Sequence, residues 1–431
     1  KQKLRLRMSH LMTQSINLYN QLANHKLFNK TVNFDLKRIK LALKKLDHPE
    51  KKLTNVIQII GSDGKFSVLT ALKFFIEGNK QTVSTHVSPS LRDIRERFWM
   101  GKDYLTHAEI KKTIKIIEKL RIPLTVYEVL TLIFIINASQ KKNDYCIQEA
   151  GALWRLDSNN VIDFPLKQIV VNINKQHLNF LRRKTLDEVI KQKVGFLSQF
   201  TDIHIGKQKP NVLKKIKRLL KNNNSQIKYS SSWKLIKLRN HFFYKDNKIK
   251  IRLNTKYIHS KGLLENLCLA INIALDLKIN KEVIANVIPK IRYPARIDYL
   301  NNGKLSKKIF KNERILIDGC HSETSAQNLY NYLKTLKVPI YGIWAMTKNK
   351  DPDRFIKQFK GIFKKIITIP IENESAGLSN KLLLKIAKKN NYDSETSKSF
   401  EESLKKITSK EEKVICCFGS LYFAGNILNK N

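Results

Sequence analysis

IQIIGSDGKFSVLTALKFF, residues 57–75, sets an apolar run against two glycines and a lysine, then a second apolar run. The two runs differ in period. Ile57, Ile59 and Ile60 form a short β-branched segment of strand type, whereas Val68, Leu69, Leu72, Phe75 and Ile76 recur at helical spacing. A hairpin about Ser62-Asp63-Gly64 needs a strand on both sides, and the second run does not supply one. A strand, a tight glycine turn and a helix instead point backbone N–H groups and the helix dipole at an anion. The stretch therefore reads as a phosphate loop of Gly61, Ser62, Asp63, Gly64, Lys65, Phe66 and Ser67. Lys65 would be its point charge and Ser67 a hydroxyl donor. The general spacing Gly-x-x-x-x-Gly-Lys-Ser/Thr is absent: Ile59 stands where the first Gly belongs, and Phe66 follows the lysine.

Outward from this loop, strand-like runs alternate with amphipathic helices. Residues 55–61, 82–88, 144–151, 168–174, 313–319, 339–345, 365–371 and 413–420 read as strands. DLKRIKLALKKL (35–46), AEIKKTIKIIEKL (108–120), SAQNLYNYLKTL (325–336) and RFIKQFKGIF (354–363) carry apolar residues three and four apart. This alternation predicts an α/β fold of βαβ units with parallel sheets. Residues 240–253 differ, two β runs flanking Lys245-Asp246-Asn247 as in a hairpin. A change of character at YPAR places a boundary near Ala295, giving domains 1–295 and 296–431.

The chain has 431 residues, 42% of them apolar, enough for two or three domains with a sizeable core. No apolar stretch reaches the length of a membrane span. The N-terminus is basic but lacks the apolar core of a secretory signal, and Met8 is a candidate natural start. Cys146, Cys268, Cys320, Cys416 and Cys417 show no zinc spacing and read as buried thiols in a reducing cytoplasm. Lys and Arg number 81 against 36 Asp and Glu, a formal net charge of +45. The excess is mostly lysine, spread along the chain with no basic-aromatic module. It fits a compositional bias better than a dedicated nucleic-acid surface.

Eight segments occur in a fixed order: GSDGKFS, HVSPSL, IQEAG with WRLDSNN, a lone His, QKVGF, YPAR, LIDGCH and FGSLYFAG. In that order they resemble the folylpolyglutamate synthase/dihydrofolate synthase family of Mur-type ATP-dependent ligases, whose short loop reads GTNGKGS. The resemblance runs from about Met8 to Leu428. It implies an N-terminal P-loop Mur-ligase-like ATPase domain followed by a smaller C-terminal Rossmann-like domain. It also implies a reaction in which a carboxylate attacks the γ-phosphate of ATP and the resulting acyl phosphate is displaced by the amine of L-glutamate. The acceptor would be dihydropteroate or a folate. The enzyme would be a cytoplasmic monomer with no specific nucleic-acid partner.

Residue by residue, the resemblance places Mg²⁺ ligands at Ser88, Glu149 and His177. It places a lysine that relatives carbamylate with CO₂ at Lys193. Lys65, Lys193 and His177 form the catalytic set. Asn266, Arg296, Asp318 and His321 fall on positions that contact ATP, and Arg155, Asp157 and Asn160 match the acceptor segment. Tyr127, in a run like the family's FEFLT, is placed to stack a pterin ring. Taken alone, Glu149 has the lesser alternative of a strand-end surface carboxylate, while Ser88 reads as a turn residue and Lys193 as a solvated helix lysine. His177 and Tyr127 alone read as ordinary core or helix-start residues.

The pattern also breaks. Phe66 replaces a Gly, Leu153-Trp154 a Gly-Gly pair, Ser90 the His of SPH, Gly262-Leu263 a His-Gln pair, and Ser322-Glu323 an Asn-Pro pair. Bulk where backbone approaches a ligand would narrow or reshape the site. The alternatives are a Mur-type ligase for another carboxylate and a catalytically reduced nucleotide- or folate-binding paralogue.

Overall fold

The computed structural model describes residues 18–29, 31, 33–348 and 350–431; Met8 and the basic leader lie outside the described residues. Two compact units divide the chain. One comprises residues up to Asn254 together with Glu265–Ile291, the other Thr255–Leu264 with Arg292–Asn431. The last crossing thus falls just before the expected boundary at Ala295, and the segment 255–264, expected in the first domain, packs with the second unit.

The first unit contains strands Val56–Ile60 (β1), Val83–His86 (β2), Phe98–Met100 (β3), Tyr145–Glu149 (β4), Lys167–Val170 (β5), Asp202–Ile205 (β6) and Ile227–Tyr229 (β7). They form one sheet in the order β3-β2-β4-β1-β5-β6-β7. Pairing is parallel throughout except at the β3 edge. Both faces are buried along β1, β2, β4 and β5, and β1 accordingly reads as a near-continuous apolar run, whereas β2 (VSTH) and β5 (KQIV) bury polar side chains as well. Gln58 is the polar residue inside β1. It is satisfied: its amide donates to the Asn159 carbonyl at 2.8 Å, and Gln168 donates to its oxygen at 2.8 Å.

Helices Lys65–Gly78 (α1), Val126–Lys141 (α2), Leu186–Val194 (α3) and, from Glu265 onward, Lys261–Asp276 (α4) belong to the unit of this sheet. Thr125 and Glu128 close a reciprocal capping box that starts α2. The expected hairpin is present as His241–Lys245 (β9) against Lys250–Arg252 (β10), and a third strand, Lys234–Leu238 (β8), pairs on its other side.

In the second unit, strands Asp298–Tyr299 (β11), Glu313–Asp318 (β12), Ile340–Trp344 (β13), Lys365–Thr368 (β14), Ser394–Thr396 (β15) and Lys413–Phe418 (β16) form a sheet ordered β11-β12-β16-β13-β14-β15. It is parallel apart from β11. Trp344, Phe355, Phe359 and Phe418 fill its core. The helix expected over 354–363 is shorter, Pro352–Lys357, and a turn with Gly361 at φ +77° follows it. All five cysteines are buried and unpaired. Among the described residues no helix is long and apolar enough to cross a membrane.

Candidate active site

The carboxyl ends of β2, β4, β1 and β5, four neighbours in one parallel sheet, deliver the first group of candidate residues. Open α/β sheets bind ligands at this edge. From β1 the chain enters Gly61 at φ +145° and Gly64 at φ +100°, and α1 begins at Lys65. A Cβ at Gly61 would lie 2.4 Å from Val171 Cγ2, and one at Gly64 2.6 Å from Asn266 Nδ2, so neither position admits a side chain. Asn266, on α4, is therefore packed against the loop. No side chain caps the start of α1, which leaves its first amides to a ligand or water. Asp63 does not face outward freely: Asn174 donates to it, and Gln176 does so at 3.0 Å. Phe66 is half-buried and Ser67 buried in the first turn.

Lys65 folds back on the loop. Its Nζ lies 3.2 Å from the Ser62 carbonyl, 3.4 Å from that of Gly61 and 3.8 Å from Glu149 Oε1. Glu149, at the end of β4, is 4% exposed rather than a surface carboxylate, and its Oε2 accepts the Ser88 N–H at 3.2 Å. Lys65, Glu149 and Ser88 are thus one cluster. Sequence reasoning missed Arg97 beside them. This buried guanidinium donates to Ser88 Oγ at 3.1 Å and to Tyr19 Oη at 2.8 Å, and Tyr19 in turn meets Ser90 Oγ at 2.7 Å. His177 follows Gln176 in left-handed backbone, at φ 58°, and its ring stacks on Phe180 at 6.1 Å. Among the described residues no three of His, Cys, Asp and Glu gather as a metal cluster.

Lys193 is not a solvated helix lysine. It is 1% exposed, and its amine donates to the Gly61 carbonyl at 2.6 Å and the Ala152 carbonyl at 2.7 Å. Burial, reinforced by the Lys65 ammonium and opposed by Asp157 and Asp63, lowers its pKa to about 7. The bulk of Leu153-Trp154 does not narrow the site as expected. Both side chains enter the core that holds Val189, Ile190 and Val194 of α3. The Trp154 indole N–H donates to the Phe196 carbonyl at 3.1 Å.

Asn159 organises the segment from Gly151 to Asn160, although the resemblance points to Asn160. The Asn159 amide donates to Tyr127 Oη at 3.0 Å, the Glu149 carbonyl at 3.2 Å and Asp157 Oδ1 at 3.2 Å, and its oxygen faces His86 Nδ1 at 3.2 Å. Asn160 donates to the Trp154 carbonyl at 3.3 Å. Asp157 also takes the Gly151 N–H at 2.8 Å, and burial raises its pKa to about 6. The Tyr127 ring stacks on His86 at 6.4 Å. Arg155 is exposed, its guanidinium 4.7 Å from the Phe196 ring centre.

In the second unit, Arg296, Asp318 and His321 meet at the end of β12. Asp318 Oδ2 accepts the Ile297 N–H and Oδ1 the Cys320 N–H, each at 2.8 Å. Its oxygens serve the backbone first, and burial raises its pKa. Ala295 and Ile297, at φ 56° and 52°, hold Arg296 in a left-handed turn that is costly for a β-branched residue. The His321 ring nitrogen Nδ1 lies 2.9 Å from the Gly319 carbonyl.

The family model for the C-terminal domain of dihydrofolate synthetase matches residues 301–430. The dihydrofolate synthase/folylpolyglutamate synthase of Bacillus subtilis (strain 168) is 23% identical over 426 residues, covering 91% of this chain and 94% of the relative. The folylpolyglutamate synthase of Lacticaseibacillus casei is 21% identical over 416 residues, covering 91% and 93%. Among solved structures, Mycobacterium tuberculosis folylpolyglutamate synthase complexed with ADP and AMPPCP gives a TM-score of 0.85 at 16% identity, covering 97% of this chain and 99% of that one. E. coli FolC in complex with DHPP and ADP gives 0.83 at 19%, covering 96% of each. At such identities the structural likeness is one of fold.

Proposed function

The chain belongs to the folylpolyglutamate synthase/dihydrofolate synthase family, and from that premise we propose that it is an ATP-dependent ligase joining L-glutamate to dihydropteroate, and to folates as further glutamates. The observation that carries this reading is the cluster of Lys65, Glu149 and Ser88 beside the uncapped amides of α1. That arrangement serves phosphoryl transfer, where positioning and charge neutralisation do most of the work.

In the first step an acceptor carboxylate oxygen attacks the γ-phosphorus. The bond to ADP breaks and an acyl phosphate forms. In the second, the glutamate nitrogen attacks the acyl carbon, phosphate leaves with the C–O electron pair, and the nitrogen gives up a proton. The amides at the start of α1 would bind phosphate oxygens, and Lys65 would exchange the Gly61 and Ser62 carbonyls for them. Arg296 and His321 are assigned to nucleotide phosphates, with Asp318 holding their backbone. Asp157, Tyr127 and Arg155 are assigned to the acceptor.

Ser88, Glu149 and His177 would hold Mg²⁺. Glu149, a buried carboxylate that accepts the Ser88 N–H, is the oxygen donor that fits a hard cation. When bound, the ion neutralises charge on the transferred phosphoryl group. A Lys193 amine with a pKa near 7 has a sizeable neutral fraction at neutral pH. That form can attack CO₂, lose a proton and become a carbamate anion. Five unpaired buried thiols suit a reducing cytoplasm, and the protein is taken to act as a monomer.

The test is ATP-dependent incorporation of labelled glutamate into dihydropteroate or tetrahydrofolate, with Mg²⁺ and bicarbonate present. Lys65→Ala and Glu149→Ala are each expected to lower kcat by about 100-fold or more while the fold is kept. No turnover of either acceptor by folded wild-type protein would sink the reading.

A further inference from the structure

We propose that Trp154 is a positioning residue for the Lys193 amine, setting its place between the Gly61 and Ala152 carbonyls by gripping the end of α3. The inference rests on Lys193 taking part in ligation. The grip has two parts. The backbone N–H groups of Trp154 and Arg155 both donate to the Gln192 carbonyl, at 3.2 and 3.0 Å. The indole N–H donates to the Phe196 carbonyl at 3.1 Å. Lys193 lies between those two carbonyls, in the last turn of α3, where carbonyls lack partners within the helix. Its amine then reaches back to the carbonyl of Ala152, two residues before Trp154.

One short segment, 152–155, therefore holds both the helix end and the amine that projects from it. The Trp154 ring is fully buried and shares its core with Val189, Ile190 and Val194, so it fixes the spacing between this segment and α3. The family pattern has glycine at this position, which has no ring to supply that spacing. The break in the pattern at Leu153-Trp154 thus tightens the support of a functional amine.

The charged groups that face the Lys193 amine are Lys65, which disfavours its protonation, and Asp157 and Asp63, which favour it. Burial outweighs them. Removing the ring would admit water beside the amine and raise its pKa toward that of an ordinary lysine. Only the neutral amine reacts, so the acid limb of the activity profile would move to higher pH.

The experiment compares wild type, Trp154→Gly, Trp154→Leu, Trp154→Phe and Lys193→Ala in full-length protein. It measures kcat and KM for ATP across pH in the glutamate-ligation assay, with melting and circular dichroism as controls of folding. Trp154→Gly is expected to lose about tenfold or more in kcat with KM for ATP within about twofold, its acid limb displaced upward by about one pH unit. Trp154→Phe, which keeps a ring in the core but loses the bond to the Phe196 carbonyl, is expected to fall about threefold in kcat, between wild type and Trp154→Gly, with its limb in place. Trp154→Leu carries the same test as Trp154→Gly if the glycine variant does not fold. A folded Trp154→Gly or Trp154→Leu with wild-type kcat and pH limb, beside an inactive Lys193→Ala, would overturn the positioning role alone. Full activity of Lys193→Ala would overturn it together with the role of Lys193.

Discussion

His86 ends β2 with its ring stacked between Phe98 and Phe134, at 5.8 and 5.1 Å. Its Nδ1–H donates a hydrogen bond to Asn159 Oδ1, and its buried Nε2 has no hydrogen-bond partner among the described residues. Burial, and after it the Arg97 guanidinium, lower its pKa to about 3, so the folded protein keeps this imidazole neutral. An unfolded chain takes up the proton near pH 6.5, so stability falls as the pH drops below that value toward 3. His86→Gln is expected to lose roughly 3 kcal/mol less than wild type between pH 6.5 and 4, read from urea midpoints at each pH. At this scale sequence motifs expose residues that sit in local patterns. Lys65, Ser88 and Glu149 each follow an apolar run, and the structure gathers them. Asn159 and Arg97 carry no such mark. Asn159 acts through Gln58 and His86, which are 101 and 73 positions away, and no short motif encodes those distances.

Asp276 closes α4 at the end where the helix dipole disfavours an anion. It is held there by three donors from consecutive strands of one sheet: His204 at 3.3 Å, Lys167 at 2.5 Å, and Lys228. The hydrogen bond from His204, followed by those from the two lysines, keeps its carboxyl well below the usual range. That contribution is in place above about pH 4 and is lost as the carboxylate protonates on further acidification. Asp276→Asn leaves a nearly buried Lys167 with a weakened set of partners and is expected to cost about 3 kcal/mol, measured by denaturation at neutral pH. The same helix carries Asn266 to the phosphate loop, so a loosened end should also raise KM for ATP. Elements with long apolar runs or strong amphipathic periods were legible in the sequence: β1, β2, β4, β5, β9, β10, β12, β13, β14 and β16. β3, β6, β7, β8, β11 and β15 were not. Length does not separate the two groups, since legible strands also run to only three to six residues. Instead β11 and β15 hold at most one apolar side chain, and β3 and β11 are antiparallel edges defined by their neighbours.

For the molecule as a whole, a formal charge of +45 predicts salt-sensitive attraction to polyanions that is unrelated to ligation. Retention on duplex DNA should weaken at least about tenfold between roughly 50 and 200 mM salt, and Lys65→Ala should leave that slope unchanged. A slope altered by Lys65→Ala would mean that the phosphate loop itself takes part. The fold class was legible because parallel sheets buried on both faces impose a plain pattern on their strands. The excursion of Thr255–Leu264 was not, because no glycine- or proline-rich linker marks it. That excursion bears on vectorial synthesis. On the ribosome Lys167, His204 and Lys228 emerge long before Asp276, while Asp202, 2.8 Å from Lys167, emerges with them. Until the chain has left the first unit and returned, two lysines and a histidine in the growing sheet lack the carboxylate they share. A chain truncated before Asp276 should therefore hold this end of the sheet less stably than the full chain does, read by its susceptibility to proteolysis.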